Sequence, residues 1–410
     1  MNTTPTRLGL IGAGGMGRAH RRFIRQMEQE GRARLTAAAD VSAAALAEVA
    51  AEFNDRPPAC FSDYRELLAA ADVDAVVAVT PIPTHFAIAG AVIRSGIPLL
   101  LEKPPVPLLG QLRELLTLDA GRPVAVFFQH VCSRGVQLVR RALRDGKLGC
   151  LREIRTAAGW PRGRVYYQRA PWAGKMAADG EPIYDGPVTN AMAHFLHNVL
   201  YLAGQRDDTF ARPVTVSGEL YRAGKVESFD TAALRATFAD DVQFTALFTH
   251  ACGRQFAHVT EVRGDLGWAR LHEDGSTTSS LPELTTPKPA DEHDAFLNCY
   301  RDFLDFHQRR AARPMTRLVD TLPFVATTNA ILSSSGGIHP VPGELVKTWR
   351  RDNDEGADLD GIHDLLAAVL TRAALPSEQG LAWAKAGRPL TVADLPPLTV
   401  ADLVRLGRQP

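Results

Sequence analysis

Gly12, Gly14 and Gly17 stand in the spacing G-x-G-x-x-G within LGLIGAGGMG (8–17). That spacing lets a backbone approach a pyrophosphate. The first glycine permits a tight turn, the second leaves room for the phosphates, and the third allows close helix–sheet contact. The apolar run Leu8–Ile11 reads as the preceding strand, and a helix is expected from about Arg18, its N-terminus favouring negative charge. Gly15 and Met16 complete the loop. Asp40 closes LTAAAD about 20 positions further on, where a carboxylate accepts hydrogen bonds from ribose hydroxyls and repels a 2′-phosphate. NAD(H) is therefore the expected cofactor, with NADP(H) disfavoured. The competing reading is a plain strand–helix turn with Asp40 as an N-cap.

Two further groups leave apolar strand-like runs. Glu102-Lys103-Pro104 follows Ile97–Leu101, and Thr80-Pro81-Ile82-Pro83-Thr84-His85 follows Asp74–Val79. The carboxyl edge of a parallel sheet is where such sheets bind ligands. A lysine there can hold a substrate hydroxyl and stabilise a developing alkoxide. The proline-fixed loop carrying Thr80, Pro81 and His85 is placed to lie along a nicotinamide. Taken alone, Glu102 and Lys103 read as solvated surface charge.

The elements that must position these groups alternate between strand and helix over the first ~125 residues, as βαβ units do. Their strands are continuous apolar runs, the mark of a parallel sheet covered on both faces. After Gln129 the texture changes. Gly135–Asp145 reads as a helix, 159–189 as an irregular Gly/Pro/aromatic segment, and Asn190–Leu202 as a helix stopped near Gly204. Residues 213–274 read as strands of a largely antiparallel sheet, followed by helices near 291–310 and 318–334. The expected fold is α/β: a Rossmann domain over 1–128, an α/β domain with an open, mostly antiparallel sheet over 129–335, and a separate extension over 336–410. PLTVADL occurs in that extension at 389–395 and again at 397–403, and reads as two turn-plus-helix-cap elements.

Composition narrows the function classes. The 46 Lys+Arg cancel the 46 Asp+Glu, which argues against a dedicated nucleic-acid or anionic-membrane binder. Cys60, Cys132, Cys150, Cys252 and Cys299 are scattered without a CxxC pair. Neither a disulfide scaffold nor a zinc ribbon is expected, and a reducing, cytoplasmic setting fits. No run approaches the ~18 apolar residues of a membrane span, and MNTTPTR lacks the plan of a signal peptide. No G-x-S-x-G or HExxH is present.

GLIGAGGMGRAH (9–20), DVDAVVAVTPIPTH (72–85), IPLLLEKP (97–104) and RALRDGKLG (141–149) resemble, in the same order, the Gfo/Idh/MocA family of sugar and cyclitol oxidoreductases. The resemblance implies hydride transfer between a nicotinamide and a hydroxyl-bearing carbon of a sugar or polyol. It also implies a homodimer or homotetramer, with the outer face of the second domain's sheet often making subunit contacts. The family pairs the EKP lysine with D-x-x-x-H on a helix of the second domain; the matching piece here is Asn190-Ala191-Met192-Ala193-His194, with asparagine in place of aspartate. Lys103, His194 and Asn190 are thus the expected catalytic set. Gly12, Gly14, Gly15, Met16, Gly17, Asp40, Thr80, Pro81, His85, Glu102 and Lys103 are the expected cofactor contacts.

Helical spacing places Asn190, His194, His197 and Tyr201 on one stripe. His194 suits acid–base work, and His197 is a candidate for proton handling and substrate contact. Asp185 would supply the missing carboxylate if its loop folds back. No metal site is expected, because no carboxylate or cysteine lies near these histidines at a familiar ligand spacing. Gln129 and His130, at the exit of the first domain, are expected to approach the substrate. Trp160 and Tyr167 offer aromatic faces for a sugar, with Arg162, Arg164 and Arg169 available for hydroxyls or an anionic group. The reading is an NAD(H)-dependent oxidoreductase of a secondary alcohol or ketone. Its alternatives are an NAD-recycling glycoside hydrolase or lyase of the same fold, and a non-catalytic nicotinamide-binding regulatory protein.

Overall fold

In the computed structural model, which describes residues 4–118, 124–204, 210–291 and 293–408, the apolar runs of the first part become six parallel strands. These are β1 (Thr6–Ile11), β2 (Ala33–Ala39), β3 (Ala59–Phe61), β4 (Ala75–Ala78), β5 (Leu99–Glu102) and β6 (Val124–Phe127). Their spatial order is β3-β2-β1-β4-β5-β6, the doubly wound Rossmann order, whose direction reverses between β1 and β4. The interior positions of β1, β4, β5 and β6 are buried, because helices cover both faces. The helix Ala43–Glu52 is capped by Ser42, whose Oγ accepts from Ala45 N. Helix His85–Ser95 ends at Gly96 in the left-handed conformation.

The chain divides into two compact units. The first is 1–106, 111–133 and 293–321; the second is 107–110, 134–292 and 322–410. The units differ from the expected division at 128 and 335 chiefly in 293–321, which joins the first unit. Helix Asp294–His307 belongs to the nucleotide-binding unit because of its aromatic stripe. Phe296 stacks on Phe23 at 5.0 Å and Tyr300 meets Phe127 edge-on at 5.5 Å.

The second unit is built on a mixed sheet. Its strands run in the order Thr277–Ser279, Trp268–His272, Phe256–Gly264, Leu151–Gly159, Gln243–Thr249, Thr231–Thr237 and Thr215–Arg222. All of these neighbours are antiparallel except Leu151–Gly159 with Gln243–Thr249. Alternation assigns the faces. On one, Phe195 of helix Ala193–Leu202 stacks on Phe248 and His258, and Ile331 of helix Leu322–Ser335 lies against Gly218. A methyl group at Gly218 would lie 2.7 Å from Ile331 backbone, so only glycine permits that approach.

The other face carries Ala157, Tyr221, Ala233 and Leu247, and the segment beyond 335 covers it. Leu359, Ile362, Leu365, Leu366, Val369 and Leu375 join those four in one buried cluster. Burying each such aliphatic side chain contributes about 1.5–3 kcal/mol. The segment is thus part of the second unit's core, which corrects its reading as a separate extension. Its identical heptapeptides also differ in outcome. The second forms helix Val400–Gly407 with a Thr399/Asp402 capping box, whereas the first forms a short strand, Leu390–Thr391, and a single 3-10 turn. Pro396-Pro397 stop the first copy; Val404-Arg405-Leu406 extend the second.

Candidate active site

The glycine loop meets its stereochemical requirements. Gly12 has φ +88°, and a methyl group there would lie 2.4 Å from Val79 O, at the point where β1 and β4 diverge. A methyl group on Gly17 would lie 2.3 Å from Gly12 O. Gly14 is different: its methyl group would make only ordinary contacts, with Ala45 Cβ at 3.7 Å and Asp40 Oδ2 at 3.8 Å. Packing does not demand a glycine at position 14, so its bare backbone leaves the space a pyrophosphate needs. Asp40 Oδ2 accepts from Ala13 N (2.7 Å) and Gly14 N (3.0 Å), and Oδ1 accepts from Ser42 N (2.8 Å). The carboxylate is thereby fixed beside the loop, where a ribose would lie. Met16 stands exposed on the same loop. These residues fit NAD.

Thr80, Lys103 and Gln129 follow β4, β5 and β6, so they share the carboxyl edge of the sheet. Lys103 is half-buried. Glu102 is buried and ties this edge to the helices: Oε2 accepts from Lys103 N (2.7 Å) and Oε1 pairs with His20 Nε2 (3.1 Å). His20 Nδ1 in turn lies 2.7 Å from Tyr300 Oη. Burial alone would push the Glu102 carboxyl up, but His20 and the Lys103 charge hold it below its ordinary value. His85 is buried, with Nδ1 at 2.7 Å from Pro104 O and Nε2 at 2.8 Å from Thr80 O. Glu102 and His85 were expected to touch the cofactor. Here they brace the two loops that carry Thr80 and Lys103. Sequence reasoning missed the His20–Tyr300 link, which joins residues 280 positions apart.

Gln129 is buried, and its Oε1 has no hydrogen-bond partner among the described residues. A buried acceptor left in this state is one that a ligand donor would satisfy. Burial, helped by the Lys103 charge, pulls His130 down to about 4, so its ring is neutral at physiological pH. Lys103, Gln129 and His130 thus all lie at the carboxyl edge of the first unit's sheet.

In the second unit, Asn190 does not lie on the helix that carries His194. Pro187–Ala191 form a π-helical turn in which Met192 N donates to Pro187 O (2.8 Å), and the α-helix begins at Ala193. Pro187 supplies no amide proton, which suits it to opening such a turn. The expected stripe of Asn190, His194 and His197 is therefore broken at its first member. Asp185 does fold back. Its Oδ1 accepts from Asn190 Nδ2 at 2.8 Å and its Oδ2 from Gly174 N at 2.7 Å. Asp185, Asn190 and His194 are 3%, 8% and 6% exposed. Arg169, stacked on Tyr166 at 3.7 Å, points its guanidinium at Asp185 from 3.7 Å.

His197 has no exposed surface. It stacks on Phe210 at 4.6 Å and meets Phe324 edge-on, and burial pulls it down to about 3. That is a core position, which corrects its reading as a substrate or proton-handling group. Trp160 donates Nε1–H to Glu273 (3.2 Å) and packs edge-on against Phe195, pinning the end of a strand. Tyr167 lines a cavity of the second unit. Among the described residues, no group of three or more His, Cys, Asp or Glu is arranged to hold a metal ion, and no helix is long and apolar enough to cross a membrane.

Residues 6–130 match the oxidoreductase family with an NAD-binding Rossmann fold, and residues 136–270 match the GFO/IDH/MocA C-terminal domain. An inositol 2-dehydrogenase of Klebsiella pneumoniae is 26% identical over 310 residues, covering 72% of this chain and 82% of that protein. A UDP-N-acetylglucosamine 3-dehydrogenase of Acidithiobacillus ferrooxidans is 41% identical over 98 residues, 24% of this chain and 28% of its own. The WlbA dehydrogenase of Bordetella pertussis, solved with NADH and UDP-GlcNAcA, has a TM-score of 0.69 at 22% identity over 81% of this chain and 96% of that one, a likeness of fold.

Proposed function

The chain belongs to the Gfo/Idh/MocA family of NAD-binding oxidoreductases, and from that premise we propose that it interconverts a secondary alcohol and a ketone on a sugar, cyclitol or related polyol. Names of relatives such as inositol 2-dehydrogenase support this substrate class. The observation that carries the reading is the carboxyl edge of the first sheet. Lys103 stands there beside the unsatisfied Gln129 acceptor and the neutral His130, on the sheet whose glycine loop fits a dinucleotide.

Bound NAD supplies a hydride acceptor at its nicotinamide ring. Lys103 holds the reacting hydroxyl oxygen and favours its developing negative charge. The hydroxyl proton passes to the imidazole of His194. Asn190 orients that ring or a neighbouring hydroxyl, and Asp185 fixes Asn190. Gln129 and His130 take further hydroxyls.

The test is a panel of cyclitols, aldoses and uronic acids incubated with NAD while nicotinamide absorbance is followed. A net rise in reduced nicotinamide on one of them, lost in Lys103→Ala and His194→Ala, is the expected result. Product without net reduction would assign a recycling lyase or hydrolase instead. Nucleotide binding with no turnover on any substrate would reduce the protein to a nicotinamide-binding module.

A further inference from the structure

A cavity of about 570 Å³ opens within the second unit, between residues 162–168, residues 223–230 and the hairpin Val346–Arg351/Asp354–Leu359. Small-molecule sites run to about 300–1,000 Å³, so a sugar-sized ligand fits. The hairpin lies beyond the residues that match either family domain.

The wall is a built one. Asp354 Oδ1 accepts from Val165 N at 2.9 Å, and Arg164 Nη2 donates to Asn353 O at 3.0 Å. Gly163 sits under that carboxylate, where a methyl group would come within 2.5 Å of its oxygens. The hairpin is thus held against the loop by directed hydrogen bonds that a larger residue at 163 would break.

The lining contains polar atoms that the protein leaves unsatisfied. Tyr167 Oη and Arg162 Nε are both buried without a hydrogen-bond partner among the described residues. Such a group is costly to the fold unless something binds it. The Arg162 guanidinium is held 4.5 Å above the Tyr166 ring. His250 lies in the floor, with Nδ1 3.0 Å from Trp160 O. Burial keeps its ring neutral, pulling it down to about 3, so Nδ1 carries the proton and Nε2 is an acceptor.

Charge decides the ligand class. Arg162, Arg164, Lys225 and Arg350 line the cavity against Asp230 and Glu355. Glu355 pairs with Arg350 at 3.2 Å. Asp230 is occupied by its neighbours, accepting from the backbone at Ala223 N and Gly224 N (2.6 Å) and from the Thr231 hydroxyl (3.2 Å). Arg162, Arg164 and Lys225 then exceed the two remaining carboxylates, Asp230 in the lining and Asp354 in the wall. We infer that this cavity binds a small hydroxylated anion, a sugar or polyol bearing a carboxylate or phosphate, with Arg162 and Lys225 facing the charge, Tyr167 donating to it and His250 Nε2 accepting from a hydroxyl. The inference concerns binding without cofactor, so its failure and the failure of the oxidoreductase reading are distinguishable.

Calorimetric titration of the full-length chain, without nucleotide, tests it. D-glucuronate and D-glucose 6-phosphate are the charged probes and D-glucose the neutral one. At least one charged probe should bind, glucose about tenfold or more weakly, and the preferred probe identifies carboxylate or phosphate. Lys225→Gln and Tyr167→Phe should each weaken that binding about tenfold. Tyr167→Phe removes a hydroxyl that has no partner, so its Tm should stay level or rise, separating lost binding from misfolding. The inference is overturned if neither charged probe binds at millimolar concentration, or if glucose binds equally well. It also falls if Lys103→Ala abolishes binding while Lys225→Gln does not, because the anion would then sit at Lys103.

Discussion

Asn190 Nδ2 donates to Asp185 Oδ1 across 2.8 Å, and both side chains are buried. The carboxylate that the family resemblance leads one to expect at position 190 stands here five residues earlier in the chain, reached through an amide.

This transposition makes a reciprocal prediction. Asp185→Asn removes the carboxylate and should lower kcat/KM by at least about tenfold through loss of positioning. Asn190→Asp restores the family residue but sets two carboxylates at hydrogen-bond distance, where one must take up a proton or the fold must strain. It should lower Tm and bring no gain in activity at neutral pH. The double variant, Asp185→Asn with Asn190→Asp, exchanges the two groups and should recover much of both. Full activity in Asp185→Asn alone would show that the carboxylate takes no part.

Cofactor choice should rest on Asp40. Its carboxylate is fixed by Ala13, Gly14 and Ser42 amides at 2.7–3.0 Å, so it cannot swing away from an incoming 2′-phosphate without breaking them. Asp40→Arg removes the negative charge and adds a partner for phosphate. The ratio of kcat/KM for NAD to that for NADP should fall at least tenfold, about 1.4 kcal/mol. An unchanged ratio would place the ribose elsewhere.

The buried His197 predicts acid sensitivity. Its ordinary value is 6.5, and burial brings the folded value to about 3. Below pH 6.5 the unfolded chain takes up a proton that the folded chain refuses until about pH 3. The contribution to stability is therefore complete above pH 6.5 and is lost as pH falls through that window. His197→Leu should reduce the slope of unfolding free energy against pH between 6.5 and about 4 by up to one proton, about 1.4 kcal/mol per pH unit. Denaturant titrations across that range measure it. Equal slopes would mean that His197 titrates alike in both states.

What the sequence disclosed follows from how local each requirement is. Gly12 and Gly17 are set by contacts with the next strand and with the loop itself, so their spacing alone reveals them. Lys103 is legible because a strand end fixes its place. Asn190 was misplaced because periodicity assumes one helix, while Gly186-Pro187 open a wider turn that no 3.6-residue period anticipates. His20, Glu102 and Tyr300 form a chain across residues brought together only by folding. His197 read as functional because spacing does not tell a histidine packed between Phe210 and Phe324 from one facing a ligand. The segment after 335 was legible as helix and turn but not as core, since the strands it covers lie far upstream.

That segment has a consequence for how the protein can be handled and assembled. A chain ended at Ser335 would leave Ala157, Tyr221, Ala233 and Leu247 facing water, an oily patch prone to clumping. Trimming the tail would therefore unmake a layer of the molecule rather than remove an ornament. A sister copy approaching that side meets Ile362–Arg372 and the strands before it, so any pairing there must be written in helix residues.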